Sequence, residues 1–194
     1  DADVLDHDRH NIGFRPNWSY QQFLKTFQNV TSNDFFVSLD SDILINKKIN
    51  FFEDGLPIWY YGWKQNHFPY FLFNQKNFKL DKSLKHTGIG DIGFFNKNIT
   101  KSFLDYTGVD TAKDLLTKLG PNMNSYFHFS EFETYANFCD TYYNGLYKFK
   151  KIIQQNNGKD LNQGESWDDN SLKKIDKESR LLDADVVSIH SWLI

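Results

Sequence analysis

Two aspartates, Asp40 and Asp42, stand one residue apart at the point where an apolar run ends. The run lies within residues 34–45, and its composition is typical of a strand buried on both faces, as in the inner strands of an α/β sheet. Ligands of open α/β sheets bind outside the carboxyl ends of the strands, where two carboxylates can hold a cation against a substrate. Asp-x-Asp alone more often marks a solvated turn, but the preceding strand favours a metal site.

A glycine-rich segment at 86–95, His-Thr-Gly-Ile-Gly-Asp-Ile-Gly-Phe-Phe, ends in apolar residues. Glycine in a strand permits close approach by another backbone or by a ligand, so Gly88 and Gly90 are candidates to run beneath a bound substrate. The spacing does not fit a dinucleotide-binding loop, because no helix start follows at once. A strand edge with a turn is the alternative interpretation.

Two glutamates near one predicted helix start differ in their expected roles. Ser130 with Glu133 fits a capping box, in which the two side chains satisfy backbone N–H groups at the start of the helix. Glu133 then has a structural role. Glu131 has none, and a carboxylate in the first turn of a helix that emerges into a cleft can accept a proton from a hydroxyl or orient it. Glu131 is therefore a candidate catalytic residue in preference to Glu133.

The helix predicted to precede the aspartates covers residues 18–27, whose apolar side chains follow helical spacing. Asn17 is placed to cap it. A packing helix with two exposed glutamines, Gln21 and Gln22, explains the same pattern.

The remaining elements follow from periodicity and turn residues. Residues 64–85 have no stable period, which indicates a loop beside the site, and residues 154–180 indicate a long surface loop. Strands are predicted at 58–63, 86–95, 146–153 and 185–192, and helices at 99–106, 111–119 and from 131 onward.

Composition limits the class of protein. A chain of 194 residues with 40% hydrophobic residues fits one globular domain, 1–194, with a real core. The net charge of −3 and the lack of a dense Lys/Arg block argue against nucleic-acid binding. No apolar stretch is long enough to predict a membrane span. One cysteine, Cys139, excludes an internal disulfide and fits a reducing, cytoplasmic compartment.

Three segments together carry a resemblance to a known family. Residues 36–45, Phe-Val-Ser-Leu-Asp-Ser-Asp-Ile-Leu-Ile, resemble the DXD element of GT-A glycosyltransferases, whose aspartates bind a divalent cation and through it the diphosphate of a nucleotide-sugar. The pattern Trp-x-x-Gln-Gln-x-x-Lys at 18–25 and the pattern Ser-Glu-x-x-x-Tyr-x-Asn-Phe at 130–138 resemble segments of a group linked to capsular and surface polysaccharides.

The resemblance implies roles for further residues. The segment at 86–95 resembles the donor- and acceptor-contacting strand of GT-A enzymes, in which Asp91 would hydrogen-bond sugar hydroxyls and Gly88 and Gly90 would lie at the donor. Asp91 of the glycine-rich segment is therefore the second candidate catalytic residue. In these enzymes a histidine near the end of the catalytic domain commonly completes the metal site, which places His190 there. An imidazole beside carboxylates suits Mn²⁺ better than Mg²⁺.

The sequence as a whole thus favours an α/β, GT-A-like (Rossmann-related) fold, with a mixed sheet flanked by helices. The expected activity is metal-dependent transfer of a hexosyl or deoxyhexosyl group from a UDP- or GDP-sugar to a glycan or glycoprotein acceptor. One departure matters, because GT-A domains normally begin with a βαβ unit that binds the nucleoside. Here the base pocket is either abbreviated, formed by residues 6–15, or lost with an N-terminal part outside this sequence.

Two other classes of function stay open. A metal-dependent nucleotidyl- or phosphotransferase would use the same paired aspartates. A carbohydrate-binding module would explain the high aromatic content, 18%, without catalysis, because aromatic rings serve as platforms for sugars as well as core filling.

Overall fold

The computed structural model describes residues 21–23, 25, 31–40, 42–62, 67–119, 129–156 and 169–189. Within these residues, the strands are β1 (Phe35–Leu39), β2 (Ile43–Ile45), β3 (Phe52–Glu53), β4 (Leu56–Tyr61), β5 (Ile92–Asn96), β6 (Lys148–Lys151), β7 (Gln154–Asn156) and β8 (Val186–Ser188). The helices are α1 (Phe68–Phe78), α2 (Lys97–Thr107), α3 (Ala112–Leu119), α4 (Glu131–Tyr142) and α5 (Asp169–Arg180). Residues 21–23 and 25 are helical as well.

The strands pair in both directions. β1 pairs antiparallel with β5, β8 lies between antiparallel β2 and parallel β7, and β4 lies between antiparallel β3 and parallel β6. The predicted mixed α/β class is confirmed. In the part of the chain that the structure describes, however, the strands form three small sheets and not one mixed sheet.

Strand β1 is covered mainly on one face, so the expectation of a strand buried on both faces is wrong. Phe36 stacks on Phe95 of β5 and packs against the main core. On the opposite face Val37 and Leu39 are 39% and 44% exposed. An apolar run does not show by itself how many of its faces the rest of the chain covers.

Helix α4 lies in the middle of the core, and each of its residues from 131 to 139 is buried. Trp59 of β4 stacks on Tyr135 with 5.2 Å between ring centroids, and Phe95 of β5 lies 4.7 Å from the same tyrosine. The Tyr135 hydroxyl accepts a hydrogen bond from the Asn96 amide at 2.8 Å. Much of the aromatic content is therefore core, and this packing fixes where the start of α4 lies relative to β4 and β5.

Helix α2 agrees with its predicted position and begins two residues earlier than predicted. Asn96 caps it, accepting hydrogen bonds from the amides of Asn98 and Ile99 at 2.9 and 3.2 Å. Gly108 ends it in the left-handed conformation with φ 71°. Helix α3 also agrees with the prediction over 111–119.

Two segments predicted as loops contain regular structure. Residues 64–85 include α1, whose apolar residues lie on all sides of the helix, and Phe68 and Leu72 remain 65% and 49% exposed. No single apolar face marks such a helix in the sequence. Residues 154–180 include β7 and α5, and α5 buries Ile175 and Ser179.

The glycine-rich segment is a strand only at its end, because β5 begins at Ile92 and the residues before it are irregular. The strands predicted at 146–153 and 185–192 contain the shorter β6 and β8, and β4 begins two residues before the strand predicted at 58–63. None of the helices in the described ranges is long and apolar enough to cross a membrane.

Candidate functional site

Asp40 lies directly after β1, beside the start of β5. Because the two strands are antiparallel, Leu39 at the end of β1 faces Ile92 at the start of β5. The Asp40 amide then donates to the Asp91 carbonyl at 3.2 Å. The aspartate pair and the glycine-rich segment, separated by about fifty positions in the sequence, thus meet in the structure.

Asp42 lies directly before β2 and is tied to the last described strand. Its carbonyl accepts a hydrogen bond from the Ile189 amide at 2.7 Å. Ile189 precedes His190 in the sequence, and His190 lies outside the described residues. The predicted metal-binding role of His190 therefore stays a prediction.

A lysine that the sequence interpretation did not assign to the site links Asp40 to Glu131. The ammonium of Lys25 donates to the Asp40 carboxylate and lies 3.2 Å from Glu131 Oε1. It also lies 4.9 Å from the centroid of the Phe132 ring. The side chains of Lys25, Asp40 and Glu131 are 10%, 27% and 1% exposed, so Asp40 is the most accessible of the three.

The charges of this group depend on one another. Burial raises the pKa of Glu131 to about 7, while Lys25 opposes the shift. Burial also raises the pKa of Asp40, with Lys25 again opposing and the carboxylates of Asp91 and Asp42 adding to the rise. For Lys25, burial lowers the pKa, but Glu131 and Asp40 outweigh burial and leave it raised. Lys25 therefore stays charged, and both carboxylates share it.

Among the residues that the structure describes, only Lys25 and the backbone amide of Glu131 itself stabilise the charge of the Glu131 carboxylate. Oε1 has the charge contact with Lys25, and neither carboxylate oxygen has a well-aligned hydrogen-bond donor in this part of the chain. A buried carboxylate without donors is costly when ionised, which explains the raised pKa.

The structure confirms the Ser130 half of the predicted capping box and contradicts the Glu133 half. The Glu133 amide does donate to Ser130 Oγ at 3.3 Å, as predicted. Its carboxylate, however, does not return to the Ser130 amide and instead accepts hydrogen bonds from Thr87 Oγ1, the Gly88 amide and Asn137 Nδ2, each at 2.8 Å. The fully buried Glu133 faces the glycine-rich segment, so its carboxylate holds that segment against α4.

The glycines of this segment approach the protein's own backbone. A Cβ on Gly88 would lie 2.6 Å from the Ala136 Cβ, and one on Gly90 would lie 2.6 Å from the Tyr60 carbonyl oxygen. The Gly88 carbonyl also accepts a hydrogen bond from the Trp59 indole at 2.7 Å. Backbone packing explains why glycine is needed here, and contact of Gly88 and Gly90 with a donor sugar stays a prediction.

Asp91 is buried in a polar cluster at the base of the site. It is 5% exposed, and its Oδ2 accepts hydrogen bonds from Gln154 Nε2 of β7 and Ser188 Oγ of β8. These bonds tie the glycine-rich segment to a second sheet. The predicted contact between Asp91 and sugar hydroxyls is untested, and in this arrangement one carboxylate oxygen already has two donors.

Three residues of the site were missed in the sequence. Lys25 ends the pattern Trp-x-x-Gln-Gln-x-x-Lys, but that pattern does not show which groups the lysine contacts. Gln22, on the same face of the helix, is buried, 3% exposed. The alternative of two exposed glutamines is therefore wrong for Gln22. Gln154 and Ser188 have no signal in the sequence, since only the pairing of β7 with β8 brings them to Asp91.

Asp40 and Asp42 can hold a divalent cation only with help from other ligands. In the described ranges no group of three or more His, Cys, Asp and Glu residues is arranged to hold a metal ion. Mg²⁺ and similar hard cations are, however, often bound by one or two carboxylates together with substrate phosphates and water. Burial raises the pKa of Asp40, Lys25 opposes the rise, and the nearby carboxylates of Asp91 and Asp42 add to it, so a cation beside Asp40 would favour its ionised form. The two carboxylates with water fit weak binding of a cation alone, and tighter binding of a cation together with a diphosphate.

Comparison of the chain with family models, curated proteins and solved structures finds no match in any of the three.

Proposed function

We propose that the chain is a metal-dependent glycosyltransferase with a GT-A-like fold, acting on a nucleotide-sugar. The observation that carries the proposal is the position of Asp40, which directly follows a strand, contacts the glycine-rich segment and connects through Lys25 to the buried Glu131. A cation site and a titratable carboxylate are thereby coupled within one cluster. The resemblance of residues 36–45 to the DXD element supports the same assignment.

In this proposal Asp40 and Asp42 hold the cation, together with the diphosphate of the donor. When bound, the cation supplies Lewis-acid stabilisation of the charge that builds on the leaving diphosphate. Lys25 keeps the Asp40 carboxylate ionised and oriented. Glu133 and Asp91 anchor the two ends of residues 87–91, so that this wall of the site is rigid before the donor arrives.

Glu131 is the proposed proton acceptor or positioning group for the acceptor hydroxyl. A group that takes a proton works best when its pKa lies near the working pH, and burial brings the pKa of Glu131 to about 7. Its carboxylate is 1% exposed and lies behind the Lys25 ammonium. Glu131 therefore acts on the acceptor through Lys25.

A metal-dependent phospho- or nucleotidyltransferase is the second candidate. A lysine next to a strand-terminal aspartate, as in the Lys25–Asp40 pair, also suits the stabilisation of transferring phosphoryl groups. The carbohydrate-binding alternative has less support, because many of the aromatic side chains on which it rests are buried in the core.

A panel of nucleotide-sugars, scored for release of UDP or GDP with and without Mn²⁺, tests the proposal. We expect Mn²⁺-dependent release from at least one donor, lost in Asp42→Asn and kept in the control Asp183→Asn, whose side chain is 92% exposed. Turnover that requires a nucleoside triphosphate would favour the second candidate. Glycan binding that needs neither metal nor nucleotide, with no release of nucleotide from any donor, would favour the carbohydrate-binding module.

A further inference from the structure

Lys25 already occupies part of the Asp40 carboxylate that the proposed cation needs. Its ammonium donates to Asp40 Oδ1 while most of its own side chain is buried. Two cations bound to one carboxylate lie within about 5 Å of each other, since each contacts an oxygen of the same group. In a partly desolvated site their repulsion is strong. Lys25 and a divalent cation are therefore competitors for Asp40.

The structure also provides a second acceptor for the displaced ammonium. Glu131 Oε1 lies 3.2 Å from Lys25 Nζ, and within the described part of the chain Glu131 Oε2 has no hydrogen-bond donor. The face of the Phe132 ring lies 4.9 Å from the ammonium and also favours a positive charge there. A small movement of one flexible side chain would turn a charge contact with Glu131 into hydrogen bonds and would open Asp40.

We propose that Lys25 is a built-in counter-ion that competes with the divalent cation for Asp40, and that cation binding transfers its ammonium to Glu131. The inference rests on the cation site of the proposed function and adds a competition for Asp40 that this function does not require. Lys25 is a positioning residue in this account. It neutralises Asp40 until the cation arrives and then neutralises Glu131.

The competition predicts opposite effects of two substitutions on binding of Mn²⁺ alone, measured by calorimetry without nucleotide. Lys25→Met removes the competitor and should tighten Mn²⁺ binding by about tenfold or more. Glu131→Gln removes the alternative partner, leaves the ammonium on Asp40, and should weaken Mn²⁺ binding several-fold. Lys148→Met is the matched control, because Lys148 forms ion pairs with Glu53 and Asp54, and it should leave the Mn²⁺ affinity unchanged.

The double variant Lys25→Met/Glu131→Gln separates competition from a general effect of net charge. It keeps the net charge of the parent and removes both buried charges, so it also avoids the uncompensated Glu131 that could prevent the single Lys25 variant from folding. Competition predicts that the double variant binds Mn²⁺ about tenfold more tightly than the parent. Unchanged or weaker binding in the double variant would overturn the proposal, because Lys25 would then only orient Asp40.

These results are distinguishable from the fate of the proposed function. Tighter Mn²⁺ binding in the double variant, with no turnover of any nucleotide-sugar, would support the counter-ion and contradict the glycosyltransferase. Mn²⁺-dependent turnover by the parent, without tighter Mn²⁺ binding in the double variant, would support the glycosyltransferase and contradict the counter-ion. If neither the parent nor the double variant bound Mn²⁺ with measurable affinity, the counter-ion proposal would fail as well.

Discussion

Replacing Glu133 by glutamine should destabilise the fold, although the change keeps the shape of the side chain. The Glu133 carboxylate accepts hydrogen bonds from Thr87 Oγ1, the Gly88 amide and Asn137 Nδ2. An amide has only one acceptor oxygen, so its NH₂ group must face at least one of these donors. Asn137 cannot turn its own amide to compensate without losing the hydrogen bonds that its Oδ1 accepts from the amides of residues 83 and 84.

The expected cost follows from the bonds that are lost. A hydrogen bond to a charged group contributes about 1.5–3 kcal/mol, and a buried donor left unsatisfied costs about 1–3 kcal/mol. Glu133→Gln should therefore lower the free energy of unfolding by about 3 kcal/mol. For a chain of this length that corresponds to a decrease in Tm of about 6–12 °C. A capping role alone would predict almost no loss, because glutamine also serves in a capping box.

Urea denaturation of three proteins at pH 8 measures this difference: the parent, Glu133→Gln and the matched control Glu131→Gln. Glu131 lies two positions away, is equally buried, and has no aligned donor in the described part of the chain. Its replacement should cost less than about 1 kcal/mol or stabilise the protein. If Glu133→Gln stayed within about 0.5 kcal/mol of the parent, the anchoring role of Glu133 would be refuted.

Three further predictions concern the same region. Because the pKa of Glu131 in the folded protein, about 7, exceeds the ordinary glutamate value of 4.5, the native state holds the extra proton and loses stability as pH rises between these values. Glu131→Gln should remove a fall of up to about 3 kcal/mol from the profile of stability against pH, and parallel profiles of the variant and the parent would contradict the assignment. Gly90→Ala should lower the free energy of unfolding by about 1–3 kcal/mol, since the new Cβ would lie 2.6 Å from the Tyr60 carbonyl oxygen. An unchanged midpoint of denaturation would contradict this packing. His190→Ala should weaken Mn²⁺ binding without abolishing it, and equal affinity by calorimetry would return His190 to a structural role.

Local patterns predicted the elements with clear signals. Helix α2 has a capping asparagine and a terminal glycine, and the start of α4 follows Ser130 as expected. Helix α1 could not be predicted, because its own aromatic residues lie on all sides of the helix and so give no helical period in the sequence. The two exposed faces of β1 and α1 could not be foreseen either, because coverage depends on distant parts of the chain.

The candidate site could also be predicted only in part, because local patterns indicate single residues and not the contacts between distant segments. Asp40 was found from its place after an apolar run, and Glu131 from its place at a helix start. Their link through Lys25 depends on contacts between three distant segments, which no local pattern contains. The same holds for Glu133, whose carboxylate has a partner more than forty positions away in the sequence.

The most direct test of the cation site is calorimetric binding of the donor nucleotide-sugar with and without Mn²⁺, in the parent and in Asp42→Asn. Two carboxylates that hold the cation against the diphosphate predict tight binding only in the parent and only with Mn²⁺, with thermal unfolding showing that the variant remains folded. Equal Mn²⁺-dependent affinity in Asp42→Asn and the parent would contradict the assignment of this residue pair as the cation site.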